Sequence, residues 1–284
     1  MKIPQYLRPH YRYCYKIATD HYENFPVASV VVPKHLRPHI AAIYAFARIA
    51  DDFADESQNA TALQQWRTYL HQFPDVSGIP HPLFPALFYT IQQFSLPIAL
   101  LDDLLTAFQK DLTNPTFYRW DDLLDYSHYS ANPIGRLLLI LFGYSQEELL
   151  PFSDAICTAL QLTNFWQDLS RDLPRGRCYI PLEELQALNL PPELSYFQAH
   201  PRPFLQLFRN LLQRTEKLYQ QGYPLLHYLK GRFALEIRLV LHGGMQTLQR
   251  IHQMRTRILY ERPTLTITDW LQFLWRPAYR KIRV

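Results

Sequence analysis

Carboxylates recur at helical spacing inside apolar sequence at two places more than a hundred residues apart, and few folds tolerate that arrangement. The first cluster is Asp51-Asp52-Phe53-Ala54-Asp55, and the second runs from Asn164 through Asp168 to Asp172. On a helix, residues four apart lie on one face about 6 Å from each other. Carboxylates held that closely, half buried and with no lysine at the facing positions, repel one another unless a cation intervenes. Mg²⁺ suits such a place, because it takes oxygen ligands and combines one or two carboxylates with water and substrate phosphates. Asn164, Asp168 and Asp172 form a ladder of three rungs over roughly 12 Å of helix. Two such helices facing each other would cage a metal-bound diphosphate.

The rest of the chain reads as helix. With only 8 glycines in 284 residues it has no glycine-rich phosphate loop and too few tight turns for an all-β fold. Ala-rich sequence from His39 to Arg48, started by Pro33, leads into the first cluster. Further helices are predicted at 60–72, 82–94, 97–112, 121–142, 147–171, 202–230 and 232–259, with prolines at their boundaries. Asp121 and Ser145 are the expected N-caps, Ser145 with Glu148 three residues on. Leu173 to Pro181 is a loop directly after the second cluster. The expectation is one all-α domain over residues 1–284.

Hydrophobic residues at 48% against 19% charged give ample core, and a net charge of +4 is too small for a general nucleic-acid binder. Cys14, Cys157 and Cys178 are odd in number and far apart, with neither disulfide nor metal spacing, which favours a reducing interior. The first sixteen residues lack a signal-peptide pattern, and the longest apolar run, Leu137 to Phe142, is far short of a membrane span. The chain is therefore expected in the cytoplasm.

The basic residues fit an anion. Arg48 lies three before Asp51, and Arg175 and Arg177 follow the second cluster on the loop; guanidinium groups grip phosphate oxygens bidentately. The ordinary reading of each is a surface ion pair. Phe25, Tyr44, Phe165, Trp166 and Tyr179 are candidates for a pocket wall that steadies a carbocation by its ring quadrupoles, or else plain core. No Glu-x-x-His occurs, which counts against a di-iron bundle.

Tyr13-Cys14-Tyr15-Lys16-Ile17, the run Ile43 to Asp52, Gln161-Leu162-Thr163-Asn164 and the loop Arg177-x-Tyr179-Ile180-Pro181 resemble the squalene and phytoene synthase family over about residues 11–260. The resemblance implies an all-α isoprenoid-synthase fold with a central cavity and Mg²⁺ held by two aspartate-rich helices. It assigns catalytic roles to Asp51, Asp55, Asp168 and Asp172, and metal ligation to these together with Asn164. Tyr44, Arg48, Gln161, Arg171, Arg177 and Tyr179 become substrate-binding residues.

Within the family, Glu23-Asn24-Phe25-Pro26, Ser130 to Arg136 and Asn164 to Asp168 look most like the bacterial hydroxysqualene synthase branch. Gln167 stands where squalene and phytoene synthases commonly carry Arg, and Ala131-Asn132-Pro133-Ile134-Gly135 replaces a Gly-rich turn. Both departures fit a site that handles one diphosphate. The branch implies conversion of presqualene diphosphate to hydroxysqualene, without NADPH, between a presqualene diphosphate synthase and a squalene-forming oxidoreductase in hopanoid biosynthesis. A presqualene diphosphate, squalene or phytoene synthase is the alternative reading. More remote are a non-catalytic assembly factor of the same fold and a generic helical interaction module.

The segment 268–284 is separate. Trp270 to Trp275 followed by Arg276, Arg280, Lys281 and Arg283 is amphipathic and basic. It suits an anionic membrane surface and, equally, a tail packed on its own domain.

Overall fold

The computed structural model describes residues 3–20 and 31–264. Phe25 with its flanking residues and the segment 268–284 therefore lie outside the described residues. Helices follow one another as α1 (Arg8–Asp20), α2 (Arg37–Asp55), α3 (Ala60–Leu70), α4 (Phe84–Phe94), α5 (Ile98–Asp111), α6 (Trp120–Ser130) and α7 (Asn132–Leu141). Then come α8 (Leu150–Gln167), α9 (Leu169–Asp172), α10 (Leu182–Ala187), α11 (Leu194–Ala199), α12 (Pro201–Gly222), α13 (Leu225–Tyr228) and α14 (Gly231–Met254). No strand occurs among the described residues. The contacts divide the chain into two compact units, each with its own core.

The first unit comprises residues 1–113, 133–146 and 230–236. Its centre is α2. From Ile40 to Phe46 every residue is buried, and a helix apolar on all sides must be surrounded. Here α1, α3, α4 and α5 surround it. Pro38, at the start of α2, supplies a preset φ where its missing N–H is not needed. From α1, Tyr11, Cys14 and Ala18 recur at helical spacing and are buried against this core. Tyr11 also brings a polar knot into this core: its hydroxyl lies 2.7 Å from Thr90 Oγ1 and 3.1 Å from His39 Nδ1. Thr90 gives its own proton to the Ala86 carbonyl at 2.9 Å. With Tyr11 donating to Thr90, His39 must carry its hydrogen on Nδ1 to complete the set. Burial pushes the His39 imidazole down to about 4, so it stays neutral there. On the other side of α2, the Trp66 indole donates to the Phe46 carbonyl at 3.3 Å while its ring stacks at 5.8 Å from Phe46.

The second unit comprises residues 114–132, 147–229 and those from 237 on. Its backbone is the pair α8 and α12, which run antiparallel. Phe152 and Ile156 meet Gly222, Thr163 Oγ1 meets Tyr219 Oη at 2.9 Å, and the Trp166 indole donates to Thr215 Oγ1 at 2.8 Å. Gly222 permits this close approach, and Gly244 does the same for α14 against the pair. A Cβ on Gly222 would stand 2.8 Å from the Phe152 carbonyl oxygen and 3.0 Å from the Ile156 nitrogen, and one on Gly244 would collide with Tyr219. Helix α6 packs on α8, and Thr158 donates to Asn132 Oδ1 at 3.0 Å where α6 gives way to the next helix.

Several boundaries differ from expectation. The helix predicted over 121–142 is two, divided at Ala131, whose backbone leaves the helical path (φ −121°, ψ −44°), and Pro133 enters in the first turn of the next helix, where its missing N–H is not needed. Asp122, not Asp121, anchors the start of α6, accepting from the backbone N–H groups of Tyr118 and Arg119 at 2.8 Å each. Ser145 caps nothing: a 3₁₀ turn over Glu147–Leu149 precedes α8, whose entry is set by Pro151. The run 202–230 ends at Gly222, and the chain turns at Pro224 before α13.

Candidate active site

The first acid pair sits in the last turn of α2, in the first unit. A helix C-terminus carries the negative end of the macrodipole, so carboxylates there are disfavoured before any neighbour is counted. Asp51 is half-buried and Asp55 exposed. Burial, then the charge of Asp55, push the Asp51 carboxyl up to about 7, with Asp52 and Asp111 adding to the effect and Arg48 opposing it. Arg48 nonetheless spends itself widely. Its guanidinium reaches Asp52 Oδ1 at 2.7 Å, Asp51 Oδ2 at 3.1 Å and Glu56 Oε1 at 3.3 Å. At Asp51 the burial and the neighbouring carboxylates outweigh Arg48. Tyr44, one turn back on α2 and buried, lies within the field of Arg48.

The second ladder lies in the second unit. Asn164 is on α8, Asp168 at the junction and Asp172 on α9. The single helix expected over 147–171 is interrupted at Asp168, whose backbone opens to φ −94°, ψ 7°. The rungs keep their register all the same. Asp168 N–H bonds the Asn164 carbonyl and Asp172 N–H the Asp168 carbonyl, each at 2.9 Å. Gln161, half-buried and three residues before Asn164, continues the same face.

Asp168 is not left bare. Arg262 donates from Nε to Oδ1 at 2.5 Å and from Nη2 to Oδ2 at 3.1 Å, a bidentate clasp. The next residue is drawn in as well: Gln167 Nε2 donates to the Pro263 carbonyl at 2.7 Å, in a buried setting. Sequence spacing gave no hint of Arg262, which is 94 residues from its partner. Arg171 is mostly exposed and only touches Asp168, at 4.0 Å.

After α9 a 3₁₀ turn ends at Gly176, whose φ of 75° lets Arg177 N–H return to the Asp172 carbonyl at 3.0 Å. Arg177 is thereby tied by its backbone to the last rung; Arg175 stays exposed. Two residues on, Tyr179 stacks on Phe165 with centroids 3.7 Å apart and planes at 6°. Phe117 and Tyr126 close a ring of four, at 5.7 Å from Tyr179 and 5.9 Å from Phe165 respectively. For Trp166 the structure decides between the two readings that sequence left open. It is fully buried and turned to Thr215 on α12, so it is core and not a pocket wall.

Among the described residues no three His, Cys, Asp or Glu side chains converge to hold a metal. Each ladder by itself offers two carboxylates, the second with the Asn164 amide. These are hard oxygen donors, few in number, and at Asp51 their charge is uncompensated enough to hold a proton near neutrality. That is the donor set Mg²⁺ takes when phosphates complete its shell.

The sequence profile of squalene/phytoene synthases matches residues 18–269. The chain belongs to that family. Hydroxysqualene synthases of Rhodopseudomonas palustris and Zymomonas mobilis are 33% and 34% identical to it over 221 and 209 residues, covering 77% and 70% of this chain and 75% and 68% of theirs. The phytoene synthase of Mycobacterium tuberculosis is 27% identical over 228 residues, 79% of this chain and 76% of its own. Among solved structures, the squalene synthase HpnC of Alicyclobacillus acidocaldarius superimposes with a TM-score of 0.81 at 35% identity, covering 89% of this chain and 96% of that one. A dehydrosqualene synthase solved with a ligand gives 0.80 at 22% identity, covering 95% of both, which speaks to fold alone. As a squalene/phytoene synthase family member, the chain has the all-α isoprenoid-synthase fold and is an isoprenoid enzyme. Enzymes of this family act on prenyl diphosphates, ionising them with a divalent metal.

Proposed function

We propose that this enzyme converts presqualene diphosphate to hydroxysqualene. The observation that carries the reading is the difference in likeness: relatives at 33–34% identity are hydroxysqualene synthases, whereas the phytoene synthase stands at 27%. Because one family match runs through residues of both units, we treat 1–284 as one catalytic domain.

Asp51, Asp55, Asn164, Asp168 and Asp172 would hold Mg²⁺, which when bound neutralises charge on the departing diphosphate as a Lewis acid. The protein's own residues do the rest. Arg48, Arg171 and Arg177 grip phosphate oxygens, Gln161, Tyr44 and Tyr179 add hydrogen bonds, and Arg262 balances Asp168 until substrate arrives. Loss of diphosphate leaves a cyclopropylcarbinyl cation, which rearranges to an allylic cation. The faces of Phe165 and Tyr179 supply electron density to such a cation without offering it a nucleophile. Apolar walls exclude stray water, and one positioned water adds to the cation, losing a proton to give the alcohol. No reductant enters the balance, so NADPH is not required. Gln167 supports the single-diphosphate reading, since it brings no positive charge and its side chain is committed to the Pro263 carbonyl.

A presqualene diphosphate synthase would supply the substrate and a squalene-forming oxidoreductase consume the product, in hopanoid biosynthesis. Among the described residues no helix is long and apolar enough to cross a membrane. The site of action we propose is the cytoplasm, with peripheral contact to a membrane through 268–284.

Purified protein incubated with presqualene diphosphate and Mg²⁺ should yield hydroxysqualene, with or without NADPH. Consumption of farnesyl diphosphate alone, to presqualene diphosphate or phytoene-type products, would overturn the assignment.

A further inference from the structure

A second group of like charges converges in the second unit, on residues that the proposed reaction does not use. A cleft of about 350 Å³ opens between α12 and the end of α14. Phe208, Leu212 and Ile251 form its floor, each buried. Arg209, His252 and Arg255 stand at its edge. Both arginines are exposed, so neither is held there by burial. Arg255 reaches the cleft through a left-handed backbone (φ 50°), a conformation costly for a residue with a side chain. It does so as α14 ends and a 3₁₀ turn, Arg255–Leu259, begins.

The surrounding charges are unequal. Burial, then Arg209 and Arg255, push the His252 imidazole below its ordinary value, and Glu216 alone opposes them. Glu216 is itself buried and accepts from Gln220 at 3.4 Å. Two permanent cations and an imidazole therefore face one carboxylate across an apolar floor. The same reasoning that asks for a cation at the acid ladders asks here for an anion, and the floor asks for a ligand with a hydrocarbon part. The space holds roughly a dozen water-sized groups, enough for a phosphate and a short chain.

We infer that this cleft binds an alkyl phosphate, its headgroup between Arg209 and Arg255 and its chain on Phe208, Leu212 and Ile251. Guanidinium pairs suit a phosphate bidentately, and the site contains no oxygen cluster that would recruit a metal. Binding should thus persist in EDTA, which separates it from any diphosphate held through Mg²⁺.

The test is calorimetry of the full chain with octyl phosphate in EDTA, with octanol as the chain-only control and inorganic phosphate as the headgroup-only control. Octyl phosphate should bind at least tenfold more tightly than either. Hydrogen–deuterium exchange should show protection at 205–212 and 251–255. Arg209→Gln with Arg255→Gln should weaken binding at least tenfold with the circular dichroism spectrum and thermal midpoint unchanged, while Arg209→Lys with Arg255→Lys, which keeps the charge and loses the forked donors, weakens it less. Vesicles containing phosphatidic acid distinguish the source of the phosphate: recruitment that the glutamine pair abolishes identifies a lipid headgroup, and octyl phosphate binding without recruitment identifies a soluble ligand. Equal binding of inorganic phosphate, binding indifferent to the glutamine pair, or protection confined to 161–181 would each overturn the inference.

Discussion

Replacing Asp51 with Asn should stabilise the metal-free protein, and increasingly so as pH rises. The Asp51 carboxyl titrates near 7 in the folded chain against 3.8 when unconstrained. Below about pH 4 both folded and unfolded states are protonated there, and the group carries no penalty. Between 4 and 7 the unfolded chain loses its proton first, so folding stability falls as pH rises; above 7 the loss is complete and constant. Each tenfold in proton affinity is worth about 1.4 kcal/mol, which sets a ceiling near 4 kcal/mol. The side chain keeps 33% of its surface, so water screens much of this and about 1–2 kcal/mol remains. For a chain of this size that is a shift in thermal midpoint of about 2–5 °C. Scanning calorimetry in EDTA from pH 4.5 to 8.5 should show the Asp51→Asn midpoint gaining on wild type up to about pH 7 and then running parallel to it. Substitution itself moves the midpoint by a pH-independent amount, so only the change with pH matters. A difference that stays flat, or narrows with rising pH, would refute the picture of a half-buried carboxylate at the end of α2 whose burial and like-charged neighbours outweigh Arg48.

Arg262→Gln should lower the metal-free midpoint, since it leaves Asp168 without its bidentate partner in a partly buried place, at a cost of about 1–3 kcal/mol. Added Mg²⁺ should then stabilise this variant more than wild type; equal stabilisation would show that Arg262 and metal do not share Asp168. Gly222→Ala should cost about 1–3 kcal/mol in chemical denaturation, because the new methyl meets backbone atoms of Phe152 and Ile156 that cannot move aside. A variant as stable as wild type would mean that α8 and α12 do not approach so closely.

How much of this was legible beforehand depends on whether the cause was local. Helices α2 to α5 announce themselves through periodicity and proline, and their observed limits fall within a few residues of expectation. Helix α1 went unread, because Tyr11, Cys14 and Ala18 make a thin apolar stripe in an otherwise polar run whose burial depends on α2. The short helices α10 and α11 also escaped, being too brief for a period to show. The opening of the helix at Asp168 has no breaker in sequence, and the hydrogen bonds through it explain why spacing still placed Asn164, Asp168 and Asp172 on one face. Arg262 and Pro263 were out of reach because their partners lie about ninety residues away, and only packing brings them together. Trp166 and Phe165 both allow a pocket-wall or a core reading in sequence, and packing separates them: about 100° apart on α8, Trp166 turns to Thr215 and Phe165 to Tyr179.

The account rests most heavily on carboxylates that work through Mg²⁺, and diphosphate release measures this directly. Wild-type protein given presqualene diphosphate should release diphosphate as Mg²⁺ is titrated in, stop when EDTA is added and resume when the metal is restored. Asp168→Ala should release none at any Mg²⁺ concentration while its helical circular dichroism is unchanged. Release by Asp168→Ala at the wild-type rate, or by wild type in EDTA, would contradict the central claim.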